Sequence, residues 1–236
     1  SAPPAGVRGR PARDAAPVWL FDLDNTLHDA TSAAMPGINA GMTDYIVEFL
    51  GLDRDGADAL RRHYWRRYGA TLLGLVRHHG VRASHFLHHT HRLPGLEARL
   101  RGHPHDFAAL RRLPGRKFIL TNAPRDYACR VLDALGIAPA FDAVFSVEDM
   151  RMFGQLRPKP DTRMLRRLVA SLRVAPARCV LVEDTLEHQK AARGVGMRTV
   201  WMQRWLRGGR AARVWRCPGY VDRRVRRLGE LQRLPG

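Results

Sequence analysis

The hydrophobic pattern changes character twice along the chain. A short apolar run, VWLF, occupies residues 18–21 and gives way at once to DLDNT. After residue 113 come RKFILTNA (116–123), AVFSV (143–147), RCVLVED (178–184) and MRTVWM (197–202). Each run is short and rich in β-branched or aromatic residues, so each predicts a buried strand. Between them, RDYACRVLDALG, DTRMLRRLVASL and LEHQKAARGVG carry apolar residues at helical spacing, two of them ending in glycine. Strands alternating with helices of about 10–15 residues predict βαβ units and a parallel sheet.

Residues 29–112 read differently. PGINAGMTDYIVEFLG, DRDGADALRRHYWRRYG and ATLLGLVRHHG predict successive helices punctuated by Pro36 and glycines, with no strand alternation. The pattern therefore predicts an α/β core from 18–28 plus 113–202, interrupted by a helical insertion over 29–112. Residues 1–17, rich in Pro, Ala and Gly, predict a flexible tail without the apolar segment of a signal peptide. Residues 203–236 read as a basic extension.

Composition refines this picture in three places. The 236 residues, 45% hydrophobic, suffice for one large domain or a core with an insertion. No apolar run approaches the ~18 residues of a membrane span. Cys129, Cys179 and Cys217 are odd in number and lack a CxxC pair, which argues against a disulfide framework or zinc ribbon and for a reducing compartment. Cytoplasm is the expected location.

The formal charge is +18, and only Lys117, Lys159 and Lys190 among forty basic residues are lysine. From residue 204 onward ten arginines face only Asp222 and Glu230. Such a field suits nucleic acid or phosphorylated small molecules. Without a nucleic-acid-binding motif, arginine-rich composition and a solvated tail explain it more simply.

In open parallel sheets, ligands bind beyond the carboxyl ends of the strands. The first predicted strand is followed by Asp22, Asp24 and Thr26, the second by Thr121 and Asn122. RPKPD, with Lys159, follows the third after a loop, and Glu183, Asp184 and Thr185 end the fourth. Singly, each has a plain explanation: a turn, a proline-stiffened loop, a helix N-cap. Together they bring acids, a hydroxyl and a lysine to one edge. In a chain where arginine has displaced nearly every lysine, Lys159 between two prolines suggests a need for a compact ammonium, whereas Lys117 and Lys190 read as surface residues.

DLDNT, the strand ending TNA, RPKP and the strand ending VEDT resemble the four motifs of the haloacid dehalogenase (HAD) superfamily. The likeness spans residues 18–202, with the insertion where that superfamily carries its C1 cap. It implies an α/β fold: a Rossmann-like parallel-sheet core with an inserted all-helical cap. FDLDNTLHDA, HYWRRYGATLLGL, LTNAPRDYA, RPKPD and VEDTLEHQKAARGVGM are similar to the pyrimidine 5′-nucleotidase branch.

The resemblance implies roles residue by residue. Asp22 is the expected nucleophile, forming an aspartyl-phosphate, and Asp24 the acid and base for leaving group and water. Thr121 and the backbone at Asn122 are expected to bind the phosphoryl oxygens, and Lys159 to neutralise their charge. Mg2+ is the implied cofactor, held by Asp22, Asp24 (backbone carbonyl) and Asp184, with Glu183 direct or through water. Without a cation, carboxylates of Asp22 and Asp184 about 4 Å apart would repel by roughly 4 kcal/mol at an effective dielectric near 20. Asp24 favours a phosphoester, since the superfamily's dehalogenases lack this second carboxylate. His188 departs from the related phosphatases, which often carry Asn or Asp there.

The implied partner is a small phosphorylated substrate, most closely a pyrimidine nucleoside monophosphate, with neither membrane nor nucleic acid required. Tyr64, Tyr68 and Thr71, in the insertion, are substrate candidates that could stack on or hydrogen-bond a base, although aromatics at helical spacing are more often core. The competing enzymes are a phosphatase for sugar phosphates or other small esters, or a phosphomutase. A basic nucleic-acid-binding protein is the non-enzymatic alternative. Eight of eleven histidines fall between residues 78 and 105, and His85 and His89 have the i, i+4 spacing of zinc ligands. With no cysteine or carboxylate cluster beside them, they read as half-exposed surface groups.

Overall fold

The computed structural model describes residues 16–206 and 216–233. In chain order its strands are β1 (Val18–Phe21), β2 (Arg116–Leu120), β3 (Ala143–Phe145), the hairpin β4 (Arg151–Met152) and β5 (Gln155–Leu156), β6 (Cys179–Glu183), β7 (Arg198–Met202) and β8 (Arg223–Val225). Seven helices separate β1 from β2: α1 (Ala30–Ala33), α2 (Met35–Leu50), α3 (Arg54–Tyr68), α4 (Thr71–His79), α5 (Ala83–Thr90), α6 (Leu96–Arg99) and α7 (Pro104–Arg112). α8 (Arg125–Ala134), α9 (Thr162–Ser171) and α10 (Leu186–Gly194) connect the later strands.

Six strands form one parallel sheet in the order β3-β2-β1-β6-β7-β8. β1 is buried on both faces. Val18 and Leu20 pack with Leu165, Leu168 and Val169 of α9, while Trp19 and Phe21 pack with Tyr127 and Val131 of α8 and Leu110 of α7. This alternation explains why its sequence is apolar throughout. Phe21 is level with Ile119 of β2 and Val182 of β6, so the loops after these three strands leave the sheet side by side. The order changes direction at β1, and the crevice at such a switch point is where open α/β sheets place ligands.

The insertion divides in two. α2 to α5 share a core of their own, including Tyr45, Ile46, Tyr64, Leu75 and Phe86. α6 and α7 instead send Leu96, Leu100, Phe107 and Leu110 into the cluster that covers the sheet. Helical periodicity gives each helix an apolar stripe but does not say which partner that stripe meets.

Two other expectations need correction. Part of the region from 203 onward is not a solvated tail: β8 is the sixth strand, and Val225, Leu228 and Leu231 join the main core. Asp106 of α7 secures this segment, accepting from the Leu228 amide at 2.9 Å and from Arg204 at 2.6 Å. Arg207, Arg210 and Arg213, and residues 1–15, lie outside the described residues. Lys117 is buried rather than superficial, its ammonium donating to the Leu113 and Gly115 carbonyls just past the end of α7, where a cation meets the favourable end of the helix dipole. Among the described residues no helix is long and apolar enough to cross a membrane.

Candidate active site

The site begins where β1 ends. The Asp22 amide donates to the Val182 carbonyl at 2.9 Å, extending the ladder by one residue and fixing its carboxylate at the sheet edge. Asn25 then turns the chain with φ 59°, a left-handed conformation asparagine tolerates. Its Oδ1 accepts from the Thr31 amide and hydroxyl. The Thr26 hydroxyl donates back to Asp22 Oδ2 at 3.2 Å. Thr26 thus supports Asp22 from within the loop.

Lys159 reaches the same point from 137 positions away. The residue is 2% exposed, and its ammonium donates at 2.7 Å to both Asp22 Oδ1 and Glu183 Oε2. Burial opposes its charge, but the two carboxylates hold it firmly protonated. The backbone that carries it is clamped by Asn122. Asn122 Oδ1 accepts the Lys159 amide at 2.9 Å, and Asn122 Nδ2 donates to the Lys159 carbonyl at 3.0 Å. The side chain of Asn122 therefore grips the lysine loop. Thr121, fully buried at the end of β2, accepts from the Ala123 amide through its Oγ1, which leaves its hydroxyl proton for another acceptor.

Burial, then the charge of Glu183, push the Asp22 carboxyl up to about 6 despite Lys159. Asp184 is raised well above the ordinary carboxyl range by burial, Glu183 and Asp22 in that order. Ligating oxygens of Asp22, Glu183 and Asp184 all lie within 4.8 Å of one another. Two crowded carboxylates that resist ionisation, Asp22 and Asp184, are oxygen donors whose charge a hard divalent cation relieves, so this cluster fits magnesium.

Glu183 differs from its two neighbours. Its Oε1 accepts from the Asp184 and Thr185 amides, and its Oε2 from Lys159, with His188 Nδ1 3.0 Å away. Lys159 and His188 outweigh burial and keep it ionised far below the ordinary range. With both oxygens engaged, Glu183 anchors Lys159 and the loop after β6 more directly than it offers a free metal ligand. The Trp201 indole steadies that loop by donating to the Asp184 carbonyl at 2.8 Å.

Asp24 is held from behind. Tyr127 of α8 donates to its Oδ1 at 2.7 Å, and His28 Nε2 meets the same oxygen at 2.9 Å. Burial opposes ionisation of Asp24, but His28 and Tyr127 win and lower its pKa. Neither partner was legible as a site residue from the motifs. His28 could have been suspected from its i, i+4 spacing to Asp24, whereas Tyr127 lies 103 positions away.

These groups form one wall of a cleft of about 550 Å3, within the ordinary range for ligand sites, ~300–1,000 Å3. The other wall comes from α2 to α5. Of the three residues expected there, only Thr71 lines the cleft, and its hydroxyl already donates to the Arg61 carbonyl at 3.0 Å. Tyr64 is buried between α3 and α4 with its hydroxyl 2.7 Å from His79 Nε2, and Tyr68 faces a neighbouring cavity. One position along from Tyr64 is about 100° around the helix, and it is Trp65 that faces the cleft, with Arg61 and Asn39. His85 pairs with Tyr45, and Asp22, Glu183 and Asp184 are the only described group with three clustered metal-binding side chains.

Known proteins place this geometry in context. The chain is 24% identical over 193 residues to Phosphate metabolism protein 8 of Saccharomyces cerevisiae, covering 76% of this chain and 59% of that protein's length. Among solved structures, a HAD phosphatase from Thermococcus onnurineus superposes with TM-score 0.61 at 21% identity. CbbY from Rhodobacter sphaeroides, solved with phosphate, does so with TM-score 0.61 at 20% identity. In both cases the match covers 92% of this chain and 96% of the other. Residues 18–196 match the haloacid dehalogenase-like hydrolase family, and the chain is a member of that family.

Proposed function

We propose that the chain is a magnesium-dependent phosphomonoesterase that acts through an aspartyl-phosphate on Asp22, with pyrimidine nucleoside 5′-monophosphates as substrates. The observation that carries the reading is the convergence of Asp22, Lys159 and the acids after β6 on one buried point in a cleft. Asp22 and Asp184, with the Asp24 carbonyl and water, would hold magnesium, which supplies positive charge against the substrate phosphate.

The Asp22 carboxylate attacks phosphorus as the bond to the leaving oxygen breaks, and Asp24 gives that oxygen its proton. Water then attacks the same phosphorus, Asp24 takes a proton back, and Asp22 is released with inorganic phosphate. Hydrogen bonds from His28 and Tyr127 favour the ionised Asp24 that the second half needs. A phosphate dianion arriving beside it favours proton uptake, which the first half needs. Lys159 stays charged throughout and meets the negative oxygens of the transferring group, with Thr121 as a hydroxyl donor.

The test is phosphate release from p-nitrophenyl phosphate with and without Mg2+, in the native protein and in Asp22→Asn. Release should require the metal and fall by at least about a thousandfold in the variant, the scale expected when a covalent nucleophile is lost. Persistence of turnover in Asp22→Asn refutes the mechanism. Across nucleoside monophosphates and sugar phosphates, uridine monophosphate should be turned over faster than purine nucleotides; activity restricted to sugar phosphates removes the nucleotidase assignment.

A further inference from the structure

The wall opposite Asp22 holds a large side chain that the protein itself does not use. Trp65 is 63% exposed, lines the cleft, and has no aromatic partner among the described residues. Trp19 and Trp201 are fully packed, and half-buried Trp205 is covered by the Arg204 guanidinium. A flat apolar surface left open inside a cavity is a surface for a ligand.

Arg61 stands one helical turn earlier on the same face of α3, and its contacts orient a second group. Its Nε and Nη2 donate to Asp58 Oδ1 at 3.2 and 3.0 Å, and its Nη1 donates to Asn39 Oδ1 at 2.9 Å. A guanidinium has no acceptor, so the Asn39 amide must turn its oxygen toward Arg61 and its two N–H donors the other way. Asn39 also lines the cleft. The wall therefore offers one aromatic plane, an amide whose oxygen is already engaged by Arg61, and the apolar side chains of Ile38, Met42 and Leu72. Asp58 offsets the Arg61 charge locally, so this wall is not built primarily for a second phosphate.

Resting on the phosphatase reading above, we propose that Trp65 and Asn39 select phosphomonoesters whose leaving group carries a flat heteroaromatic ring bearing a carbonyl oxygen. Trp65 stacks on the ring and Asn39 donates to the carbonyl, while the phosphate sits at Asp22. A nucleobase meets both requirements; a sugar phosphate meets neither.

The experiment compares kcat/KM for uridine monophosphate and ribose 5-phosphate in the full chain with Mg2+, for the native protein, Trp65→Ala, Trp65→Phe and Asn39→Ala. The preference for the nucleotide should fall about tenfold in Trp65→Ala, within the range for base–aromatic stacking. Trp65→Phe should recover much of it, and Asn39→Ala should lose about threefold to tenfold, as for one hydrogen bond. Uridine should also quench indole fluorescence in the native protein but not in Trp65→Phe. Trp65 is exposed, so its variants should fold, which circular dichroism checks. A nucleotide preference unchanged within twofold in Trp65→Ala overturns the proposal, as does an equal loss on both substrates or a native protein that prefers ribose 5-phosphate. Asp22→Asn run alongside separates these outcomes, because turnover surviving in that variant refutes the phosphatase reading instead.

Discussion

Asp22 shows how far a single residue can work against the fold that carries it. Its proton is bound more tightly in the folded protein than in the unfolded chain, at about 6 against an ordinary 3.8. The stability linked to that proton is therefore fully present below the ordinary value and lost as pH rises through about 6. Without metal, Asp22→Asn should be more stable than the native protein at pH 7.5 by about 1–3 kcal/mol. The gap should narrow as pH falls below about 6, and Mg2+ should stabilise the native protein more than the variant. Urea unfolding in chelator at pH 5 and 7.5, then with Mg2+, measures all three. His91, pushed down to about 4 by burial, has an opposite pH trend, but it is present in both proteins and drops out of the difference. At this scale the motif residues were legible because their chemistry restricts their type. The side chains that hold them were not: the motif points to the backbone at Asn122, and only the structure shows its side-chain amide on Lys159, 37 positions away.

At the scale of elements, the loop between β5 and α9 joins chemistry to architecture. Asp161 caps α9, accepting from the Arg163 and Met164 amides at 2.8 and 3.1 Å, and also takes an ion pair from Arg157. It stands two residues after Lys159, so the cap that starts the helix also ends the lysine loop. Asp161→Ala should lower stability by about 1–2 kcal/mol and reduce kcat more than it raises KM, checked by thermal unfolding and steady-state kinetics. The parallel-sheet strands up to β7 were readable within a residue or three, because buried parallel strands are nearly continuous apolar runs; the hairpin β4–β5 was not. Nor was β8. RRV carries two arginines and gains its conformation from pairing with β7, helped by Asp222, whose Oδ2 accepts from the Thr199 amide at 2.8 Å. Tyr64 and Trp65 show the same limit within a helix, since neighbouring aromatics point to different partners that only the packing defines.

For the whole molecule, the question is what the arginine-rich end of the chain is for. A chain ending after residue 206 would lose β8 and the buried side chains of Val221, Val225, Leu228 and Leu231. At about 1.5–3 kcal/mol each, these approach the entire stability of a typical domain, about 5–15 kcal/mol. The shortened protein should fail to give a cooperative thermal transition and should aggregate on gel filtration. A shortened protein that stays monomeric and active would contradict the packing. Loss of nucleic-acid retention on such truncation would therefore report unfolding before it reported a binding surface. The overall class was legible because alternating strands and helices have few arrangements; the split of the insertion, α2 to α5 apart and α6 and α7 against the sheet, was not.

That split has an evolutionary consequence. The chain passes into α2 and out of α5 through two short stretches, and most of the apolar side chains that hold this bundle together belong to it alone. Substitutions at positions such as 39 and 65 thus fall on a unit whose folding leans little on the sheet bearing the acids. Selection can revise which molecules are accepted while leaving the bond-breaking machinery intact, and lineages sharing one chemistry can diverge in diet.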